Sequence, residues 1–305
     1  MAGDGQVADL RTESSGIATA DGAELYFERR GEGPPLLLIA GGGGDCGAYW
    51  PLANELASCY TVLTYDRRGN SRSPLQHAPA EISMAEQSAD AVAVLRACGF
   101  GSGLIFGNSG GATIALDLAA SHPEAAAAVV AHEPPLPRVL PGAGAYLAGY
   151  DEIARVLDAE GWQAAFRRFQ EWVAHVPADE LPTIMTVLLD PARILPPGPH
   201  LDLMQRLSGN WEYMTRFEIQ PFIHYQPDLD QIAANGTRVA LAAGQDTIAL
   251  AGRDSLGQDP FHRSGLVIAE RLGAEFAVFP GGHLAPAEIP GRFAESLRDL
   301  LARLQ

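Results

Sequence analysis

Residues 103–123, GLIFGNSGGATIALDLAASHP, constrain this chain more than any other stretch. A short apolar run stops at a serine set among glycines, and a helix-like pattern follows at once until Pro123. Glycine weakens both helices and strands, so three of them around one hydroxyl need a reason. Gly107-Asn108-Ser109-Gly110-Gly111 fits G-x-S-x-G, a turn so tight that its neighbours have no room for side chains. Between a strand and a helix, such a turn lifts the hydroxyl above the edge of a sheet. It also leaves the Gly110 N–H at a helix N-terminus, where it can stabilise an oxyanion.

The flanking chain repeats the same rhythm. "GIATADGAELYFERRG" reads as a hairpin turning at Asp21-Gly22, and "PPLLLIAGGGG" as a strand apolar on both faces. "YTVLTYD" is the next strand. Ser83 and Glu86 form a capping-box pattern opening a helix that Gly99 ends. "AAAAVVAHEPP" is a further strand. Strands alternating with helices imply an α/β fold with a mostly parallel sheet. Residues 137–232 break the rhythm with helical aromatic spacings, Trp162, Phe166, Phe169 and Trp172, then Met204, Leu207, Trp211 and Met214. They read as a helical insertion, a lid or cap, in a core formed by residues 1–136 and 233–305. The alternation resumes with "TRVALAAG", a helix near 261–273, the strand "EFAVFP" and a last helix.

A serine hydroxyl needs a base to act as a nucleophile. His283, in "FPGGHLAPAEIP", lies after a strand and before the last helix, which puts it at the same sheet edge. The other histidines lack that setting: His77, His122 and His175 read as loop or helix-end residues, and His262 opens a helix. His224 could line a pocket, and His132 flanks Glu133. The glycine loop "AGGGGDCG" supplies the second oxyanion donor, assigned by position to Gly42. A rival reading uses the same loop. Gly42-x-Gly44-x-x-Gly47 follows a strand and Asp66 lies about 20 residues on, the spacing of a dinucleotide fingerprint. That NAD(P)-binding oxidoreductase reading leaves Ser109 and His283 without roles.

In order along the chain, "LLLIAGGGG", "YDRRGNSRS", "GNSGGA", a helical insertion and "PGGH" resemble the α/β-hydrolase superfamily over nearly the whole length. Ala40 stands where many members carry an oxyanion-loop histidine. "FGNSGGA…VVAHEPP" is similar to the branch of zearalenone lactonases and related actinobacterial hydrolases. The resemblance implies an α/β-hydrolase fold and a Ser-His-acid triad. The acid stays open. The usual slot after the strand that follows the lid holds "GQDT" and "GRDS", which offer Asp246 and Asp254, each one residue early. The lactonase-like branch uses a glutamate after the preceding strand, and Glu133 matches it. The order of preference is Glu133, Asp246, Asp254.

The implied chemistry is cleavage of a hydrophobic carboxylic ester or lactone through an acyl-enzyme, with no metal or organic cofactor. Trp211, Tyr213 and Phe217 are candidate substrate contacts. C–C bond hydrolysis and cofactor-free perhydrolysis would use the same triad, and a binding protein without turnover is a further class. A net charge of −16 argues against nucleic acid or an anionic membrane as partner, while association with further copies of the chain stays open. Cys46, Cys59 and Cys98 form no disulfide or metal pattern. The polar start shows no secretion signal, so the expected compartment is the cytoplasm.

Overall fold

The computed structural model describes residues 14–77, 79, 82–174, 199–251 and 260–305. The expected polar tail, His175 and Asp254 lie outside the described residues. Eight strands form one sheet: β1 (Ser14–Ala20), β2 (Ala23–Arg30), β3 (Pro35–Ile39), β4 (Thr61–Tyr65), β5 (Gly103–Asn108), β6 (Ala126–His132), β7 (Val239–Gly244) and β8 (Glu275–Phe279). Their spatial order is β1-β2-β4-β3-β5-β6-β7-β8. The β1–β2 hairpin turns at Asp21-Gly22, pairs Ala20 with Ala23, and joins β4 antiparallel; all later pairings are parallel.

Alternate side chains of the central strands enter two separate cores, as the period of two requires. Leu37, Ile39, Leu63, Ile105, Val129 and Leu241 face one helical layer. That layer contains α2 (Met84–Ala97), α3 (Gly110–Ser121) and α10 (Pro260–Leu272). Leu36, Leu38, Val62, Leu104, Phe106 and Val130 face the other, built on α1 (Trp50–Leu56) and α12 (Pro290–Leu304). Burial on both faces is why these strands read as unbroken apolar runs. Phe293, Leu297, Leu300 and Leu301 of α12 are all buried, as their spacing predicts. Ser83 does cap α2 in position, but its side chain makes no capping bond. Glu86 instead pairs with Arg68 at 2.9 Å, because a buried guanidinium offers a charged partner that a backbone N–H cannot match.

Between β6 and β7 the chain forms α4 (Gly144–Glu160), α5 (Trp162–Ala174), α6 (Pro199–Tyr213), a π-helical turn (Met214–Glu218), α7 (Ile219–His224) and α8 (Leu229–Asn235). The first of these share a small aromatic core of their own, centred on Tyr146, Tyr150 and Ile153, with Trp172 and Phe169 packed against it. Among the described residues, no helix is long and apolar enough to cross a membrane.

Candidate active site

Ser109 follows β5 and precedes α3, with φ 57° and ψ −126°. The glycines explain how a strand can turn so sharply there. A Cβ on Gly107 would sit 2.1 Å from Gly111 O, and one on Gly111 would sit 2.0 Å from Ile39 O. Neither backbone atom can give way, so only glycine fits. The Ser109 N–H donates to His132 O at 2.9 Å, which fastens the turn to the end of β6. Gly110 is the first residue of α3, so its N–H has no intrahelical acceptor. The Gly42 N–H has no backbone acceptor among the described residues, and Gly42, Ser109 and Gly110 line one cavity together.

Glu133 lies one residue past β6, fully buried and also left-handed, with φ 53°. Its Oε1 accepts the Gly244 N–H at 2.8 Å, and its Oε2 meets His283 Nδ1 at 2.5 Å. Burial pushes the Glu133 carboxyl up, but the hydrogen bond and charge of His283, with His132 and the Gly244 N–H, hold it down at about 2. His283 is 31% exposed, and its ring meets the Phe261 ring edge-on at 4.7 Å. Asn108, next to the serine, donates from Nδ2 to His283 O at 3.2 Å. Its Oδ1 then accepts from His132 Nδ1 at 2.7 Å, and among the described residues the buried His132 Nε2 has no partner. Burial drives His132 down to about 4, so it is neutral at ordinary pH. Among the described residues no hydrogen bond closes Ser109 Oγ onto His283 Nε2.

Asp246 lies in the first turn of α9 (Gln245–Ala251) and is exposed. Its backbone N–H reaches Gly281 O at 2.9 Å, so it touches the His283 loop through the main chain and not through its carboxylate. Glu133 is the carboxylate bonded to the imidazole.

A cavity opens over Ser109. Its walls include Tyr150, Phe169, Met214, Ile219, Phe222 and Phe261. Trp211, Tyr213 and Phe217, the candidate substrate contacts, are not among them. Trp211 stacks on Phe166 at 5.3 Å and packs over Gly43, while the Tyr213 ring lies tilted against Phe217 at 5.3 Å and covers Gly69. His224 also misses the cavity, bonding Arg138 and Asp151 at 3.1 Å each. Two charged residues that the sequence reading passed over, Arg67 and Glu218, do line it. Asp66 is consumed inside the fold by the Cys46 N–H at 2.9 Å and by Arg72 Nε at 2.6 Å, which leaves no free carboxylate for a ribose.

An eight-stranded sheet of this order, with a strained serine turn and an acid–imidazole pair at one edge, defines an α/β-hydrolase architecture. A family model for the alpha/beta hydrolase fold matches residues 34–167. An uncharacterized hydrolase of Bacillus subtilis (strain 168), YraK, is 31% identical over 292 residues, covering 96% of this chain and 97% of that protein. The chain therefore belongs to the α/β-hydrolase fold family and is a hydrolase. Solved structures share the fold. A thermophilic esterase from Thermogutta terrifontis superposes with TM-score 0.68 at 20% identity, covering 95% of this chain and 99% of that one. The enol-lactonase from Burkholderia xenovorans LB400 gives TM-score 0.64 at 18% identity, covering 94% and 100%.

Proposed function

We propose that this hydrolase cleaves a carboxylic ester or lactone of a hydrophobic small molecule through an acyl-enzyme on Ser109. The observation that carries the reading is the buried Glu133 carboxylate against His283 Nδ1 at 2.5 Å, beside a serine held at φ 57°. Glu133 keeps the imidazole proton on Nδ1, which leaves Nε2 free to take the Ser109 proton as Oγ attacks the carbonyl. The Gly42 and Gly110 N–H groups hold the tetrahedral oxyanion. His283 then protonates the leaving alcohol and activates water for deacylation. The Ser109–His283 bond closes when substrate is bound, as such contacts often do only then.

Residues 137–232 act as a lid in this scheme. Phe169, Met214, Ile219 and Phe222 supply an apolar wall, which suits an acyl or alkyl group. Wild-type protein should be labelled by a fluorophosphonate probe and should hydrolyse p-nitrophenyl butyrate. Ser109→Ala should do neither. Turnover that survives in Ser109→Ala would sink the reading.

A further inference from the structure

The cavity wall contains a buried ion pair that the hydrolytic scheme does not use. Arg67, 1% exposed, lies just past β4, and Glu218, 3% exposed, closes the π turn of the insertion. The pair is bidentate: Arg67 Nη1 donates to Glu218 Oε1 at 2.8 Å and Nη2 to Oε2 at 2.9 Å. Asn70 Nδ2 adds a bond to Oε1 at 3.1 Å. A buried pair of this kind adds little net stability, because desolvation offsets its attraction. Arg67 Nη1 also reaches Gln87 Oε1 at 3.4 Å, but what distinguishes the pair is a bond to the main chain: Arg67 Nη2 also donates to Gly41 O at 3.0 Å.

Gly41 O belongs to the peptide whose N–H is that of Gly42. Among the described residues no peptide is cis, so this C=O and N–H point in opposite directions. Whatever holds the carbonyl therefore aims the N–H. Among the described residues one other bond holds it, from the Gly44 N–H at 3.1 Å. The peptide sits between two glycines, whose backbones rotate more freely than any others. The insertion grips the rest of this loop as well. Asn210 Nδ2 donates to Gly43 O at 2.5 Å, and Arg206 Nε donates to Asp45 at 2.6 Å.

We propose that Arg67, held by Glu218, is a positioning residue for the oxyanion hole: it fixes the Gly41–Gly42 peptide so that the Gly42 N–H faces the reacting carbonyl. This rests on the ester-hydrolase reading above. The lid segment that shapes the acyl pocket thereby also sets the geometry of the oxyanion donor.

The test compares wild type with Arg67→Met, Glu218→Gln and the double variant Arg67→Met/Glu218→Met, which leaves neither charge unpaired. The readouts are melting temperature, kcat and KM on p-nitrophenyl butyrate, and affinity for an alkyl trifluoromethyl ketone, whose hemiketal oxyanion occupies the hole. The double variant should fold, lose about 10–100-fold in kcat, lose ketone affinity by a similar factor, and keep KM within about threefold. Glu218→Gln should show the same pattern at a smaller factor, and it decides the matter if the double variant does not fold. Arg67→Lys should recover part of the kcat lost in Arg67→Met. Folded variants with wild-type kcat and ketone affinity would overturn the proposal, as would a rise in KM at unchanged kcat. A wild-type protein that neither labels nor turns over would instead remove the hydrolase reading itself.

Discussion

Replacing Glu133 by glutamine separates the charge of this residue from its shape. The carboxylate has two occupied oxygens: Oε1 takes the Gly244 N–H at 2.8 Å and Oε2 takes His283 Nδ1 at 2.5 Å. A glutamine has one oxygen for two donors. The Gly244 N–H is fixed at the end of a buried strand, and leaving it unpaired would cost about 1–3 kcal/mol. The oxygen therefore stays with Gly244, and the amide NH2 faces His283. Nδ1 must then accept, so the imidazole proton moves to Nε2, the atom that has to receive the Ser109 proton. The expected loss is about 10³–10⁴ in kcat, with KM within about threefold, as for the equivalent change in a serine-protease triad. That is about 4–5.5 kcal/mol of barrier at 1.36 kcal/mol per decade. The variant should also differ in acid. Glu133 falls from an ordinary 4.5 to about 2, so its folded carboxylate adds about 3 kcal/mol of stability above the unfolded value. That contribution disappears as pH drops from about 4.5 through about 2, and Glu133→Gln lacks it throughout. Steady-state p-nitrophenyl butyrate kinetics and melting curves from pH 2 to pH 8 would check both parts. Glu133→Gln within tenfold of wild-type kcat would refute the tautomer argument. So would an Asp246→Asn variant more impaired than Glu133→Gln, since Asp246 is expected to matter less than about threefold.

His132 has its own pH window. Its value is depressed from 6.5 to about 4, so neutral burial contributes about 3 kcal/mol above pH 6.5, lost as pH falls through 4. Melting temperature should drop across that interval, and His132→Asn should flatten the slope there. Gly107→Ala should yield no folded protein by circular dichroism, because its methyl would lie 2.1 Å from Gly111 O, backbone against backbone. Phe222 lines the cavity and lies over Gly110, so Phe222→Trp should lower kcat/KM for p-nitrophenyl octanoate at least tenfold more than for the acetate, read from paired ester assays.

The parts of this fold that are local or periodic were readable in the sequence. The mostly parallel sheet was legible in short apolar strands alternating with helices, and the serine turn in the glycines around it. The sequence also ranked Glu133 ahead of Asp246, and the structure has Glu133 against His283. What escaped depends on geometry that spacing does not encode. Met214, Ile219 and Phe222 line the cavity, while Trp211 packs on Phe166 and Tyr213 on Phe217, partners that no spacing along the chain announces. Glu86 looked like half of a capping box because its rival partner, Arg68, is 18 residues away. Arg67 and Glu218 meet across 151 residues, and no motif links them.

Three non-glycine residues among those described have positive φ, and two of them, Ser109 and Glu133, stand at the site. Such conformations cost about 1–3 kcal/mol each and persist only where surrounding structure enforces them. The sheet does so here through register. Asn108 pairs with His132 as the last rung between β5 and β6, so the next residue on each strand leaves the sheet at the same height. Ser109 N–H is held by His132 O at 2.9 Å, and Glu133 N–H by Ala242 O at 2.9 Å on the following strand. The histidine reaches this height by another device. A Cβ on Gly244 would lie 2.5 Å from Gly281 O, so glycine at the end of β7 is what lets the His283 loop close over the edge. Parallel pairing sets the height of serine and acid, and close backbone approach brings in the imidazole. A one-residue slip between β5 and β6 would therefore separate Ser109 from Glu133 even with every side chain intact.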